Sequence, residues 1–239
     1  MNTNFLTDLK KLSELPLVQC NPADGPRFYF NECNSHLKYS SVTSILSATQ
    51  SSSSKFALKA WKDKILADGE DPDEIRDDAA RRGSQIHDWL ELFLQAKDPA
   101  IPEEIASYCG HLVSCGLWKH LDQVVCTEHK VCSDQGLVPF AGTLDALLVI
   151  NGKLCLFDLK TKAAGKGKPS KAVINEAMCQ LQAYRLGLAE NYGIEITRFM
   201  ALYAFPDRLP CIVSASDKEL EQHEVHWAKR VKAYSLACF

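Results

Sequence analysis

The chain has 239 residues, 46% hydrophobic and 24% charged, with a net charge of −3. That suits one large single-core globular domain and excludes a generic polyanion binder, so any nucleic-acid site must come from local charge. No apolar run approaches about 18 residues, which excludes a membrane-spanning helix, and residues 1–16 carry Asp8 and Glu14 without a long apolar block, so the expectation is a cytoplasmic protein without a signal peptide.

Residues 1–38 read as an irregular or partly helical lead-in, with Phe28, Tyr29 and Phe30 as a short edge strand. Ser41 can cap a short helix through Leu46, and the serines at 51–54 read as a loop. A helix is predicted over 55–67 and a turn over 69–73. The next helix, over 74–95, carries Ile75, Ala79, Ile86, Trp89, Leu90, Phe93 and Leu94 on one apolar stripe. A further helix is predicted over 102–121. The apolar period then shifts to that of strands, predicted over 124–131, 139–150 and 153–160. A loop over 165–170 leads to a helix over 172–191, strands over 199–205 and 211–215, and a last helix over 217–236. Ser216 and Glu219 form a capping box for that helix. This order predicts an α/β fold, a central mixed sheet of about five strands flanked by helices. Residues 1–120 would form an N-terminal helical region and 121–239 the sheet and its flanking helices, within one compact domain.

Ten cysteines include no C-x-x-C pair, so reduced thiols are expected. Cys109, His111 and Cys115 would not face one way on a helix, which makes a poor zinc site.

The informative stretch is 142–161, GTLDALLVINGKLCLFDLKT. Asn151-Gly152 between two apolar strands predicts a two-residue hairpin turn, because both turn positions favour positive φ. Counting outward from that turn sets Asp145 opposite Asp158, with Lys160 on the same face. The neighbouring positions are apolar on both faces, so these strands should be covered on both sides. Two carboxylates about 5 Å apart in such a place repel each other and are costly to ionise. A divalent cation held between them removes that cost, and hard oxygen ligands suit Mg²⁺ or Mn²⁺. The bland alternative is an Asp158–Lys160 ion pair at the end of the sheet, with no metal.

Four motifs in order then resemble a known family. G-S-Q-I-H at 83–87, G-T-L-D at 142–145, D-L-K at 158–160 and Q-L-Q-A-Y at 180–184 are similar to the PD-(D/E)XK nuclease superfamily in its RecB-type branch. The stretch Y-S-S-V-T-S-I-L at 39–46 further resembles the opening segment of phage-encoded exonucleases related to the mitochondrial genome-maintenance exonuclease. The resemblance implies a restriction-endonuclease-like core. It implies that His87, Asp145, Asp158 and the Leu159 carbonyl ligate the metal, and that Lys160 is the catalytic lysine. Gln180 and Tyr184 would face the site and position DNA or the lysine. Glu128 matches an acidic position often seen in the branch, as a supporting or occasional metal residue. Glu91, one turn after His87, could hold the imidazole or simply form a solvated salt bridge.

Lys160, Lys162, Lys166, Lys168 and Lys171 crowd a loop with Gly165, Gly167 and Pro169, expected to be mobile beside the site. With Thr161, and with Arg81 and Arg82 before His87, they are candidates for backbone phosphate contacts, a solvated basic loop being the alternative. Trp61, Trp89 and Trp118 could stack bases, although Trp89 suits the core. CRISPR-associated relatives hold an iron–sulfur cluster on four cysteines, three of them clustered after the Q-x-x-x-Y helix. Here only Cys211 and Cys238 follow it, so no cluster is expected. There is no P-loop pattern.

The expectation is therefore a monomeric metal-dependent deoxyribonuclease acting exonucleolytically on single-stranded DNA ends or flaps, with residues 40–120 arching over the site. Phage, replication or recombination proteins are candidate partners, and the host cytoplasm the location if the protein is phage-encoded. The alternatives are a double-strand-end exonuclease in phage recombination or host DNA degradation, and a non-catalytic nuclease-fold module that holds DNA.

Overall fold

The computed structural model describes residues 12–238 apart from Asp24 and Ser216. The predicted capping box therefore lies partly outside the described residues, as do residues 1–11 of the N-terminal lead-in. The strands are β1 (Leu17–Cys20), β2 (Phe28–Asn31), β3 (Asn34–Ser41), β4 (Leu121–Ser133), β5 (Phe140–Ile150), β6 (Lys153–Thr161), β7 (Phe199–Ala204) and β8 (Cys211–Ala215). The α-helices are α1 (Val42–Ala48), α2 (Ser52–Ala67), α3 (Pro72–Leu94), α4 (Ala106–Val113), α5 (Lys171–Tyr192) and α6 (Asp217–Cys238).

Among the described residues the sheet is mixed and has eight strands rather than about five. The difference lies at the N-terminus. β1 is only four residues long and β3 is polar and weakly patterned, and both become strands by pairing with β2 (Leu17↔Asn31, Tyr29↔Tyr39). That small antiparallel unit joins the main sheet through two parallel pairs, Ser40↔Phe140 and Ser41↔Ala141. Other boundaries also shift. The serine run is not a loop but the first turn of α2, with Ser51 as N-cap accepting from the Ser54 amide. Asp71 caps α3 in the same way, with Pro72 at the first helical position. The helix predicted over 102–121 divides into a 3₁₀ turn, α4, and a second 3₁₀ turn from Gly116. Ser41 sits at the N-cap of α1, yet its hydroxyl meets Thr43 Oγ1 at 2.8 Å instead of a backbone amide.

The hairpin forms as its turn chemistry requires. Asn151 (φ 49°) and Gly152 (φ 68°) both adopt left-handed backbone, and the ladder runs from Ile150↔Lys153 to Ala146↔Phe157. Alternate residues enter opposite cores. Leu147, Val149, Leu154 and Leu156 pack with α1, α5 and α6, whereas Ala146, Leu148, Cys155 and Phe157 pack with α3 and α4. Helices thus cover both faces, which explains the near-continuous apolar sequence of β5 and β6.

One break in this layering positions the site. β4 occupies one edge of β5 over its whole length, from Leu121↔Ile150 to Ser133↔Phe140. On the other edge, β3 pairs at 140–141 and β6 at 146–150, so residues 142–145 face no strand among the described residues. Beyond Phe157, β6 continues with β7 alone, in parallel register from Leu156↔Phe199 to Thr161↔Ala204. β5 and β6 diverge there, and the sheet opens a notch.

Candidate active site

Asp145 and Asp158 occupy the first rung past the last paired residues, on opposite lips of the notch. The hairpin count therefore reaches the right residues, but no ladder joins them. The Asp145 carboxylate bridges the gap itself, its Oδ2 accepting from the Leu159 amide at 2.6 Å. Leu159 thus enters the site through its N–H.

On its other side Asp145 faces β4. The pairs Thr127↔Ala146 and His129↔Leu144 bracket Glu128, which is set opposite Asp145. Glu128 has φ 45°, in the middle of a thirteen-residue strand. Left-handed backbone at a non-glycine residue costs roughly 1 kcal/mol, so the neighbouring contacts must hold it. From α3, His87 places Nδ1 3.5 Å from Asp145 Oδ2. Ligand atoms of His87, Glu128 and Asp145 all lie within 4.8 Å of one another. Glu128 is exposed in surface terms. Even so, desolvation of its carboxyl and then the charges of Asp145, Glu91 and Asp88 raise its pKa to about 8.

Asp158 has different partners. It is 1% exposed, and Lys160 Nζ donates to its Oδ1 at 2.9 Å. Lys160 also donates to Gln180 Oε1 at 2.9 Å, and Gln180 Nε2 donates to Tyr184 Oη at 3.0 Å. These contacts fix the lysine from the strand and from α5 together. Burial raises the Asp158 pKa to about 6, Lys160 opposing that rise and Asp145 adding to it. Burial works against the Lys160 charge, but Asp158 and Asp145 outweigh it and raise the lysine pKa. Among the described residues, Asp158 Oδ2 is buried without a hydrogen-bond partner.

These donors fit a divalent cation. An unpartnered buried carboxylate oxygen and a converging His–Glu–Asp group form an oxygen-rich set with one imidazole, which suits Mn²⁺ or Mg²⁺. The two neighbouring acids differ. Glu91 Oε1 accepts from Gln95 Nε2 (2.9 Å) and Thr127 Oγ1 (3.2 Å), and among the described residues it makes no hydrogen bond to His87. Glu128 lies with His87 and Asp145.

A cleft of about 450 Å³ collects these groups, with His87, Glu128, Asp145, Lys160, Gln180 and Tyr184 in its walls. Its remaining wall includes Gln19, Arg27 and Tyr29, which sequence reasoning did not connect to the site because the pairing that brings them there is not local. Tyr29 Oη lies 3.3 Å from Thr143 Oγ1, within the G-T-L-D motif. The glycine of that motif has a packing cause: a Cβ on Gly142 would fall 2.5 Å from Tyr184 Cε1.

The outlying candidates divide. Thr161 lines the cleft and Lys162 an adjoining cavity. Arg81 is paired with Glu104 (2.7 Å) and Asp78 (3.3 Å), and Arg82 is outside the residues lining the cleft. The lysine-rich loop, expected to be mobile, makes contacts with the turn after β7. Asp207 accepts from the Gly165 amide at 2.8 Å, and Arg208 donates to the carbonyls of Lys166 and Gly167. Trp89 is buried against Phe93, and Trp118 packs edge-on to the same ring. Trp61, on α2, is only partly covered.

No protein-family model matches the chain. Over 201 residues it is 26% identical to the mitochondrial genome maintenance exonuclease 1 of Mus musculus, covering 82% of this chain and 58% of that protein. The Homo sapiens protein of the same name is also 26% identical, over 202 residues, with the same coverage. The chain therefore spans less than two thirds of the length of these relatives. A crystal structure of a 'Putative exonuclease' from Eubacterium rectale is 11% identical, with 65% of this chain and 68% of that one covered at a TM-score of 0.45.

Proposed function

We propose that the chain is a metal-dependent DNA exonuclease of the PD-(D/E)XK type that hydrolyses phosphodiester bonds, acting on single-stranded ends or flaps. The supporting observation is one cleft that joins a cation-binding group (His87, Glu128, Asp145) to a buried Asp158–Lys160 pair held by Gln180 and Tyr184. The exonuclease names of its relatives agree with this reading.

A bound Mg²⁺ or Mn²⁺ would polarise the phosphate and lower the pKa of the attacking water. His87, Glu128, Asp145 and Asp158 would hold that ion. Lys160, cationic and fixed by two acceptors, orients the water and offsets charge that develops on the phosphate oxygens. Gln180 keeps the ammonium aimed, and Tyr184 keeps Gln180 in place. A module that merely bound DNA would have no use for a buried, costly Asp–Lys pair.

End-labelled linear and circular DNA, single- and double-stranded, incubated with Mg²⁺, Mn²⁺ or EDTA, tests this. Cleavage should require metal, prefer linear single strands, and fall by at least about a hundredfold in Asp158→Asn and Lys160→Ala. Cutting of circular single strands would rule out a strict exonuclease. Activity surviving EDTA or either substitution would sink the mechanism.

A further inference from the structure

The cleft is one end of a longer groove. A second cavity, of about 330 Å³, shares Lys160, Thr161 and Gln180 with it. A third, of about 270 Å³, shares Ser54, Ala172 and Glu176 with the second and ends against His226, Lys229 and Arg230 of α6. The groove thus runs from the notch, past the N-terminal turns of α2 and α5, onto α6.

Charge changes sign along it. The first cavity holds Asp88, Glu128 and Asp145 against Arg27 and the shared Lys160. The walls of the second and third hold Lys160, Lys162, Lys229 and Arg230, and among the described lining residues Glu176 is their single carboxylate. Arg230 pairs with Glu176 at 3.0 Å and also donates to Thr49 Oγ1 and the Leu46 carbonyl, so it cancels that acid while tying α1, α5 and α6 together. Lys229 is exposed and His226 half-exposed, spaced to share a helix face. Ser51, Ser54 and Asn175 add neutral donors. In a protein of net charge −3, a basic arm joined to an acidic cation pole makes a directional field.

We propose that the second and third cavities form a track for the phosphodiester backbone of a nucleic-acid strand whose reacting phosphate sits at Lys160, with Lys229 and His226 as the distal phosphate contacts. Lysine, serine and asparagine side chains along a continuous groove are the groups that bind phosphate and sugar without reading sequence. This rests on the nuclease reading and names the path of its substrate.

The test compares the wild type with Lys229→Glu and Lys229→Gln. Binding of a fluorescent dinucleotide and of a long mixed-sequence single strand is measured in EDTA across a salt series. Hydrolysis of both is then measured with Mn²⁺. Lys229→Glu should weaken the long strand on the order of tenfold and reduce its salt slope by about one, Lys229→Gln less in each respect. Dinucleotide hydrolysis and melting temperature should not change. Inorganic phosphate serves as the control ligand. Unchanged long-strand affinity and salt slope in Lys229→Glu would overturn the track, as would a site that responds to inorganic phosphate alone. A wild type that binds the long strand through Lys229 yet never hydrolyses it would leave the track standing and remove the nuclease reading.

Discussion

Asp158 is held where its charge is least welcome. A free aspartate titrates near 3.9, whereas burial raises Asp158 to about 6. Between about pH 4 and about 6 the folded, metal-free protein therefore holds a proton that the unfolded chain has lost. Its stability falls as pH rises across that window, and the gap corresponds to roughly 3 kcal/mol. Asp158→Asn cannot ionise, so in EDTA its melting temperature should gain on the wild type as pH rises from about 4 to about 6. Parallel melting curves across that range would show that the carboxylate is not destabilised. Gly142 makes a second residue-scale case. Gly142→Ala drives its methyl into the Tyr184 ring, which should cost about 1–3 kcal/mol in denaturant unfolding. By displacing Gln180 it should also lower kcat more than it raises KM. The motif glycine was legible in the sequence, but its reason was not, because the ring it accommodates comes from a helix forty residues on.

The hairpin and the strand beside it show two kinds of element. Asn151-Gly152 states its own conformation, since both residues tolerate positive φ. The register of β5 against β6 follows from that turn alone. Glu128 is the opposite case: nothing in the sequence of β4 marks a left-handed residue at its centre. That strain, together with three neighbouring acids, should make Glu128 a cost to the metal-free fold. Glu128→Gly should therefore raise the melting temperature in EDTA, by the equivalent of about 1 kcal/mol from the backbone alone. Glu128→Gln, which keeps the strain and drops the charge, should gain less. Both variants should bind Mn²⁺ more weakly by calorimetry. A Glu128→Gly protein no more stable than wild type, or with undiminished metal affinity, would show that the residue does not serve the site. The helix expected over 102–121 failed for another local reason. Its apolar content supports a helix, but the chain breaks at Ser114-Cys115 and reaches β4 through a short 3₁₀ turn.

For the whole molecule, the notch gathers unfavourable charge that a bound cation would relieve. A ligand that binds only the folded state stabilises it by roughly 2.7 kcal/mol at a hundred times its dissociation constant. Mn²⁺ should accordingly raise the melting temperature of the wild type, and EDTA should reverse the gain. Asp145→Asn should abolish most of it. No metal-dependent shift in the wild type would argue that the acids form an ordinary ion-pair cluster.

The amino-acid sequence by itself determined the hairpin, its register, the apolar cover on both faces and the positions of Asp145, Asp158 and Lys160. Those features follow from turn chemistry and residue period, which act over a few neighbours. Only the tertiary structure decided that the two aspartates part company, Asp145 turning to His87 and Glu128 while Asp158 keeps Lys160. That division arises because β6 leaves β5 to run parallel with β7, while β3 takes the vacated edge of β5 only near its start. Both pairings join strands about forty to a hundred residues apart in the chain, and contacts of that range leave no local mark on the residues that make them.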